Sequence, residues 1–237
     1  METRIICAGF GGQGIMSMGR LIAYTGMKNG REVSWLPSYG PEMRGGTANC
    51  HVIVADNPIA SPVVSGNADA VVAMNLPSMR KFEAELTGTA GAAGTAGTAG
   101  AAGAAGATGA TGATGAQGAR EARPGILLYN SSLIEERPER DDVIVLPIPA
   151  TDLAGALGNT KAANMVMLGA FLAATHLFTR DQVIESLERV FGSAKDQFLP
   201  LNTAALDKGL ALVAEEQLRP GAHASEKPGP RQEKHTV

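Results

Sequence analysis

A short apolar strand, Thr3 to Ala8, runs directly into Gly9-Phe10-Gly11-Gly12-Gln13-Gly14, and this junction limits the chain to few folds. The spacing of Gly9, Gly11 and Gly14 fits the G-x-G-x-x-G pattern, in which a buried parallel strand turns tightly into a helix. Free backbone N–H groups at such a helix start, together with the positive end of its dipole, favour a pyrophosphate. Gly11, Gly12 and Gly14 let the backbone approach a phosphate, and Gln13 adds a side-chain amide that can bond it or a partner chain.

A second motif follows the second strand: Ser38-Tyr39-Gly40-Pro41-Glu42-Met43-Arg44-Gly45-Gly46. Arg44 is the nearby cation whose planar fork suits a phosphate or carboxylate. A salt bridge to Glu42 or to a partner subunit competes with that role. Tyr39 and Trp35 could stack on an adenine or be buried in a core or interface.

The remaining pattern alternates strands and helices. Ile15 to Lys28 reads as a helix, Glu32 to Leu36 as a strand, Thr47 to Ala55 and Ala70 to Met74 as further strands, and Pro77 to about Leu86 as a helix. Ile126 to Asn130 and Val143 to Ile148 add two strands, and Lys161 to Thr175 a core helix. Thr179 and Gln182 form a T-x-x-Q capping box ahead of a helix that Gly192 ends, and a last helix runs from near Pro200 to about Gln217. The expected fold is α/β: a Rossmann-like, mostly parallel sheet flanked by helices, with a C-terminal helical segment.

Residues 1–217 are expected to form one domain. It is interrupted at 87–119 by a stretch of Gly, Ala and Thr with a single Gln117, where glycine recurs at every third position from Gly88 to Gly118. Collagen needs proline at the other positions and this stretch has none, so it reads as a flexible surface insertion. Residues 218–237, rich in Pro, Gly and charge, read as a disordered tail.

Composition narrows the partners. A net charge of −3 gives no footprint for nucleic acid or an anionic membrane. The apolar run Met165 to Ala174 is about half of what a bilayer crossing needs, and a charged start precedes the first strand, so a cytoplasmic location is expected. Cys7 and Cys50 are too few for a disulfide framework or a metal site and read as buried strand residues. Cys50 and His51, adjacent in one strand, point to opposite faces and cannot share a metal. No metal site and no catalytic residue is assigned.

A free-standing NAD(P)-binding oxidoreductase places an acid at the end of the second strand to hold the ribose. Here that strand ends Trp35-Leu36-Pro37-Ser38, and Glu32 lies at its start, on the wrong edge. The remaining uses of the glycine loop are a different adenosine pyrophosphate, such as coenzyme A, or no ligand at all, which would make the chain a purely structural partner.

GFGGQGI at 9–15, WLPSYGPEMRGGTANC at 35–50, Pro58-Ile59 with Ser61-Pro62, and Asn164 to Gly169 together resemble the gamma subunit of 2-oxoacid:ferredoxin oxidoreductases. Within that family the second motif is similar to the 2-oxoglutarate and branched-chain types. The resemblance implies a subunit of an enzyme that converts a 2-oxoacid and coenzyme A into an acyl-CoA, carbon dioxide and reduced ferredoxin. Thiamine diphosphate and iron–sulfur clusters would belong to alpha and beta chains, and in some enzymes a delta chain, because this sequence has neither a thiamine motif nor four thiolates for a cluster. This subunit would contribute assembly and a candidate coenzyme A site formed by Gly9, Gly11, Gly12, Gln13, Gly14, Ser38, Tyr39 and Arg44, with both loops leaving the carboxyl ends of neighbouring strands. The isolated chain is expected to be inactive.

Overall fold

The computed structural model describes residues 1–38, 47–88, 123–191 and 198–217. Tyr39, Arg44, Gly192, most of the insertion and the tail lie outside the described residues. Six strands, β1 (Glu2–Gly9), β2 (Glu32–Ser38), β3 (Ala48–Ala55), β4 (Ala70–Ala73), β5 (Ile126–Asn130) and β6 (Ile144–Ile148), form one sheet in the order β2-β3-β1-β4-β5-β6. The helices are α1 (Ile15–Lys28), α2 (Leu76–Phe82), α3 (Ala150–Ala156), α4 (Ala163–Thr175), α5 (Arg180–Phe191) and α6 (Leu199–Gln217).

The sheet is parallel from β1 through β4, β5 and β6, and antiparallel at β1–β3 and β3–β2. The nine residues 39–47 that join β2 to β3 account for this. A parallel crossover needs a dozen or more residues, so β3 must return beside β2 in the opposite direction. It takes the place next to β1. The glycine loop and Ser38 therefore do not leave neighbouring strands as expected: β1 and β2 run the same way, but β3 lies between them.

Alternation along the strands divides the core. Ile5, Cys7, Cys50, Val52, Val54, Val72 and Leu128 meet α1 and α4, whereas Ile6, Ile53, Val71, Leu127 and Tyr129 meet Met79 and Phe82 of α2. Helix α4 is buried over ten consecutive residues, Ala163 to Leu172, because α6 covers the side turned away from the sheet. Met165 and Met167 fill this core. Among the described residues no helix is long and apolar enough to cross a membrane.

The helix boundaries follow local chemistry. Thr179 and Gln182 cap α5 reciprocally, with Thr179 N–H donating to Gln182 Oε1 (2.9 Å) and Gln182 N–H to Thr179 Oγ1 (3.3 Å). His176 ends α4 in the left-handed conformation, φ 52°. Helix α2 stops at Phe82 and tightens into one 3₁₀ turn, Glu83–Glu85, short of the expected Leu86. Thr87, the first residue of the insertion, and Gly125, just after it, meet directly. Thr87 N–H donates to the Ala68 carbonyl (2.9 Å) and Gly125 N–H to the Thr87 carbonyl (2.7 Å).

Candidate functional site

The strand order reverses between β1 and β4: α1 leads from β1 towards one side of the sheet, and β4 leads through α2 towards the other. In open α/β sheets the crevice at the carboxyl ends of two such strands is where ligands bind. The Phe10–Gly14 loop stands at this point. Gln13 N–H closes the turn onto the Phe10 carbonyl (3.2 Å), and Gly12 and Gly14 take φ of 90° and 76°, a region that strains residues with a Cβ. Gly11 and Gly12 are exposed, and a Cβ at Gly12 would meet nothing within 4 Å, so the backbone there is open to an approaching group.

Helix α1 starts without a capping side chain and without an acid in its first turn. Among the described residues, the N–H groups of Gly11, Gly12 and Gly14 have no protein acceptor. This leaves the helix's orphan donors and its dipole available to an anion.

Other loop residues are engaged by the protein itself. Gln13 Oε1 accepts from the Phe10 N–H (2.7 Å) and from Asn75 Nδ2 (3.2 Å), and Gln13 Nε2 donates to the Met74 carbonyl (3.2 Å). The side chain thus ties β1 to β4 across the crevice. Gly9 is needed for that contact, since a Cβ would come within 2.8 Å of Gln13 Oε1 and 2.9 Å of Met74 Cβ. Gly14 packs against Asn164, whose Nδ2 donates to the Gly14 carbonyl (3.3 Å).

Ser38 sits exposed at the end of β2, in register with Asn49, which in turn pairs with Ala8. It shares the loop's edge of the sheet at a distance of two strands, about 10 Å. Trp35, on the same edge strand, is 37% exposed. Of the described candidate residues, Gly9, Gly11, Gly12, Gln13 and Gly14 are thus contiguous, and Ser38 stands apart from them.

The strand order also bears on the NAD(P) reading. On the side of β1 where a dinucleotide fold places its second strand lies the antiparallel β3, whose Ala48 and Asn49 occupy this edge, so among the described residues no carboxylate ends that strand to hold a ribose. His51 lies on the opposite face from Cys50, and its Nδ1 accepts from the Val64 N–H (3.1 Å). Burial pulls its pKa below the ordinary value, against a smaller upward pull from the Glu85 carboxylate. Among the described residues no cluster of three or more His, Cys, Asp or Glu could hold a metal.

Two residues of the site carry no role in the sequence reading. Asn75 caps α2 with its Oδ1, which accepts from the Ser78 N–H (2.9 Å), and Asn164 opens α4 beside the loop. The cap was readable, because Asn75-Leu76-Pro77 places an N-cap residue and an early proline in the usual order. The contacts of both side chains with the loop come from tertiary structure.

Comparison with known proteins places this geometry in a family. The pyruvate ferredoxin/flavodoxin oxidoreductase family profile matches residues 4–212. The chain is 30% identical over 208 residues to the ketoisovalerate oxidoreductase subunit VorA of Methanothermobacter marburgensis, covering 88% of this chain and 36% of that protein. It is 26% identical over 220 residues to the 2-oxoglutarate synthase subunit KorC of Methanocaldococcus jannaschii, covering 91% of this chain and 96% of that one. The chain therefore spans about a third of VorA and nearly all of KorC. The fold resembles the gamma subunit of a keto/oxoacid ferredoxin oxidoreductase from Geobacter sulfurreducens, with TM-score 0.64, 22% identity, and coverage of 90% of this chain and 99% of that one. It also resembles the 2-oxoglutarate:ferredoxin oxidoreductase of Magnetococcus marinus, solved with 2-oxoglutarate, coenzyme A and succinyl-CoA bound, with TM-score 0.67, 22% identity, and coverage of 90% of this chain and 31% of that one. The expected resemblance holds: this chain belongs to the pyruvate ferredoxin/flavodoxin oxidoreductase family.

Proposed function

We propose that the chain is the gamma subunit of a 2-oxoacid:ferredoxin oxidoreductase acting on 2-oxoglutarate or a related 2-oxoacid, and that its glycine loop holds the pyrophosphate of coenzyme A. The observation that carries the ligand assignment is the loop at the β1/β4 switch point, with open backbone at Gly12 and an uncapped α1 N-terminus. The near full-length match to KorC supports the subunit assignment.

In the overall reaction the C1–C2 bond of the 2-oxoacid breaks and C1 leaves as carbon dioxide. The acyl carbon is oxidised by loss of an electron pair, which passes one electron at a time to ferredoxin, and the coenzyme A thiolate, its thiol proton released, bonds to that carbon. Thiamine diphosphate supplies the electron sink for that cleavage. The alpha and beta subunits, with a delta chain in some assemblies, carry it and the clusters. This chain's own part is to bind and orient coenzyme A: Gly11, Gly12 and Gly14 offer backbone N–H groups, and Gln13 and Gly9 keep the loop closed on β4.

The test uses a pair of substitutions matched in backbone demand. Asn and Asp both tolerate positive φ better than other side chains and differ here in charge. In the complex recovered with its partner subunits, Gly12→Asp is expected to raise the Michaelis constant for coenzyme A at least about tenfold over Gly12→Asn. Equal constants for the two variants would remove the pyrophosphate assignment.

A further inference from the structure

Two side-chain amides, Asn75 and Gln13, are linked beside the glycine loop, and which of them orients the other can be read from their donors and acceptors. The first is fixed by a helix. Ser78 N–H donates to Asn75 Oδ1 (2.9 Å), so the Asn75 amide has only Nδ2 left for its other neighbour. That Nδ2 donates to Gln13 Oε1 (3.2 Å). The same oxygen accepts from the Phe10 N–H (2.7 Å). With two donors converging on Oε1, the Gln13 amide cannot turn over without setting N–H against N–H, and Nε2 is thereby directed to the Met74 carbonyl (3.2 Å). Asn75 is 4% exposed, so water does not replace these bonds readily.

We propose that Asn75 is a positioning residue for coenzyme A binding. Its amide, oriented by the first turn of α2, orients Gln13. Gln13 in turn holds Phe10 and the residues after it in the conformation that exposes the N–H groups of Gly11, Gly12 and Gly14. Asn164 supports the other end of the loop by donating to the Gly14 carbonyl (3.3 Å). The proposal rests on the pyrophosphate assignment made above.

Asn75→Asp separates the two tasks of this side chain. A carboxylate caps α2 as well as the amide does, so the helix and fold are retained. It has no proton to give Gln13 Oε1, and Gln13 must swing its Nε2 towards it, which strands the Phe10 N–H. Two readouts follow. On the full chain, hydrogen exchange of the Phe10 amide measured by NMR is expected to accelerate while the Ser78 amide stays protected. In the assembled complex the Michaelis constant for coenzyme A is expected to rise about five- to tenfold with kcat changed less than about twofold, the size of one neutral hydrogen bond. A Phe10 amide that exchanges as in the parent protein overturns the proposal. An unchanged coenzyme A constant in Asn75→Asp beside a raised one in Gly12→Asp also overturns it and leaves the pyrophosphate assignment intact, whereas unchanged constants in both overturn the two together.

Discussion

Cys7 of β1 and Cys50 of β3 lie directly opposite each other across the antiparallel pair, both fully buried, with the Cys50 sulfur beneath Gly19 of α1. The facing Cys50 sulfur, together with burial, holds the Cys7 thiol well above its ordinary pKa range. A Cβ at position 19 would run into Cys50 Sγ and come within 3.3 Å of Val52 Cγ2. Gly19→Ala is therefore expected to cost about 1–3 kcal/mol in urea unfolding, by overpacking against the sheet. Adding Cys50→Ala removes the obstructing sulfur, and the double variant is expected to recover part of that loss.

Helices α4 and α6 cross at Gly169 and Gly209. A Cβ on Gly209 would overlap the Val166 carbonyl oxygen and approach the Ala170 nitrogen to 2.7 Å, and backbone cannot turn aside as a side chain can. Gly209→Ala is expected to lower stability by about 3 kcal/mol or more. Gly155→Ala in α3 is the contrasting case, since its nearest neighbour would be Thr160 Cγ2 at an ordinary 3.6 Å. There the helix propensity of alanine is expected to stabilise the chain by about 0.5–1 kcal/mol, read as a higher urea midpoint.

His51 predicts a pH dependence with a definite sign. Its folded pKa lies below the ordinary value, chiefly through burial. The unfolded chain thus takes up the proton first as pH falls. The contribution of His51 to stability is complete above the unfolded pKa of about 6.5 and is lost between that value and the lower folded pKa. NMR titration should show the depressed pKa directly. Glu85→Gln removes the opposing carboxylate and is expected to lower it further.

The chain on its own is expected to carry out no 2-oxoacid turnover. A cubane cluster needs four thiolates, and the two cysteines of this chain are both buried in the core. Iron and sulfide reconstitution of the purified chain should produce no cluster absorbance, and activity should require its partner subunits. Turnover by the isolated chain would contradict this.

Local signals made much of the fold legible. The apolar periodicity gave the limits of α1, the run Ile126 to Asn130 gave β5, and the Thr179–Gln182 box marked the start of α5. Strand order was less accessible, because alternation tells which face a residue occupies and not which strand lies beside it. The nine-residue connection after Ser38 held the missing information: it is too short for a parallel crossover and therefore returns β3 next to β2. In the site, the glycines could be read from their spacing. The bonds of Gln13 to Met74 and Asn75 span 61 and 62 residues, and no pattern within the loop announces them.

The bond between Gly125 N–H and the Thr87 carbonyl means that the chain leaves the sheet and re-enters it at a single point. The sheet itself closes that gap, so a flexible sequence grafted there would add little by its length: each doubling of a flexible loop costs only about 0.6 kcal/mol. The point lies at the start of β5, on the edge opposite the glycine loop. It is thus a port in the fold, where a lineage could lengthen or rewrite its sequence, or an experimenter graft a fluorescent reporter, with the glycine-loop edge left as it is.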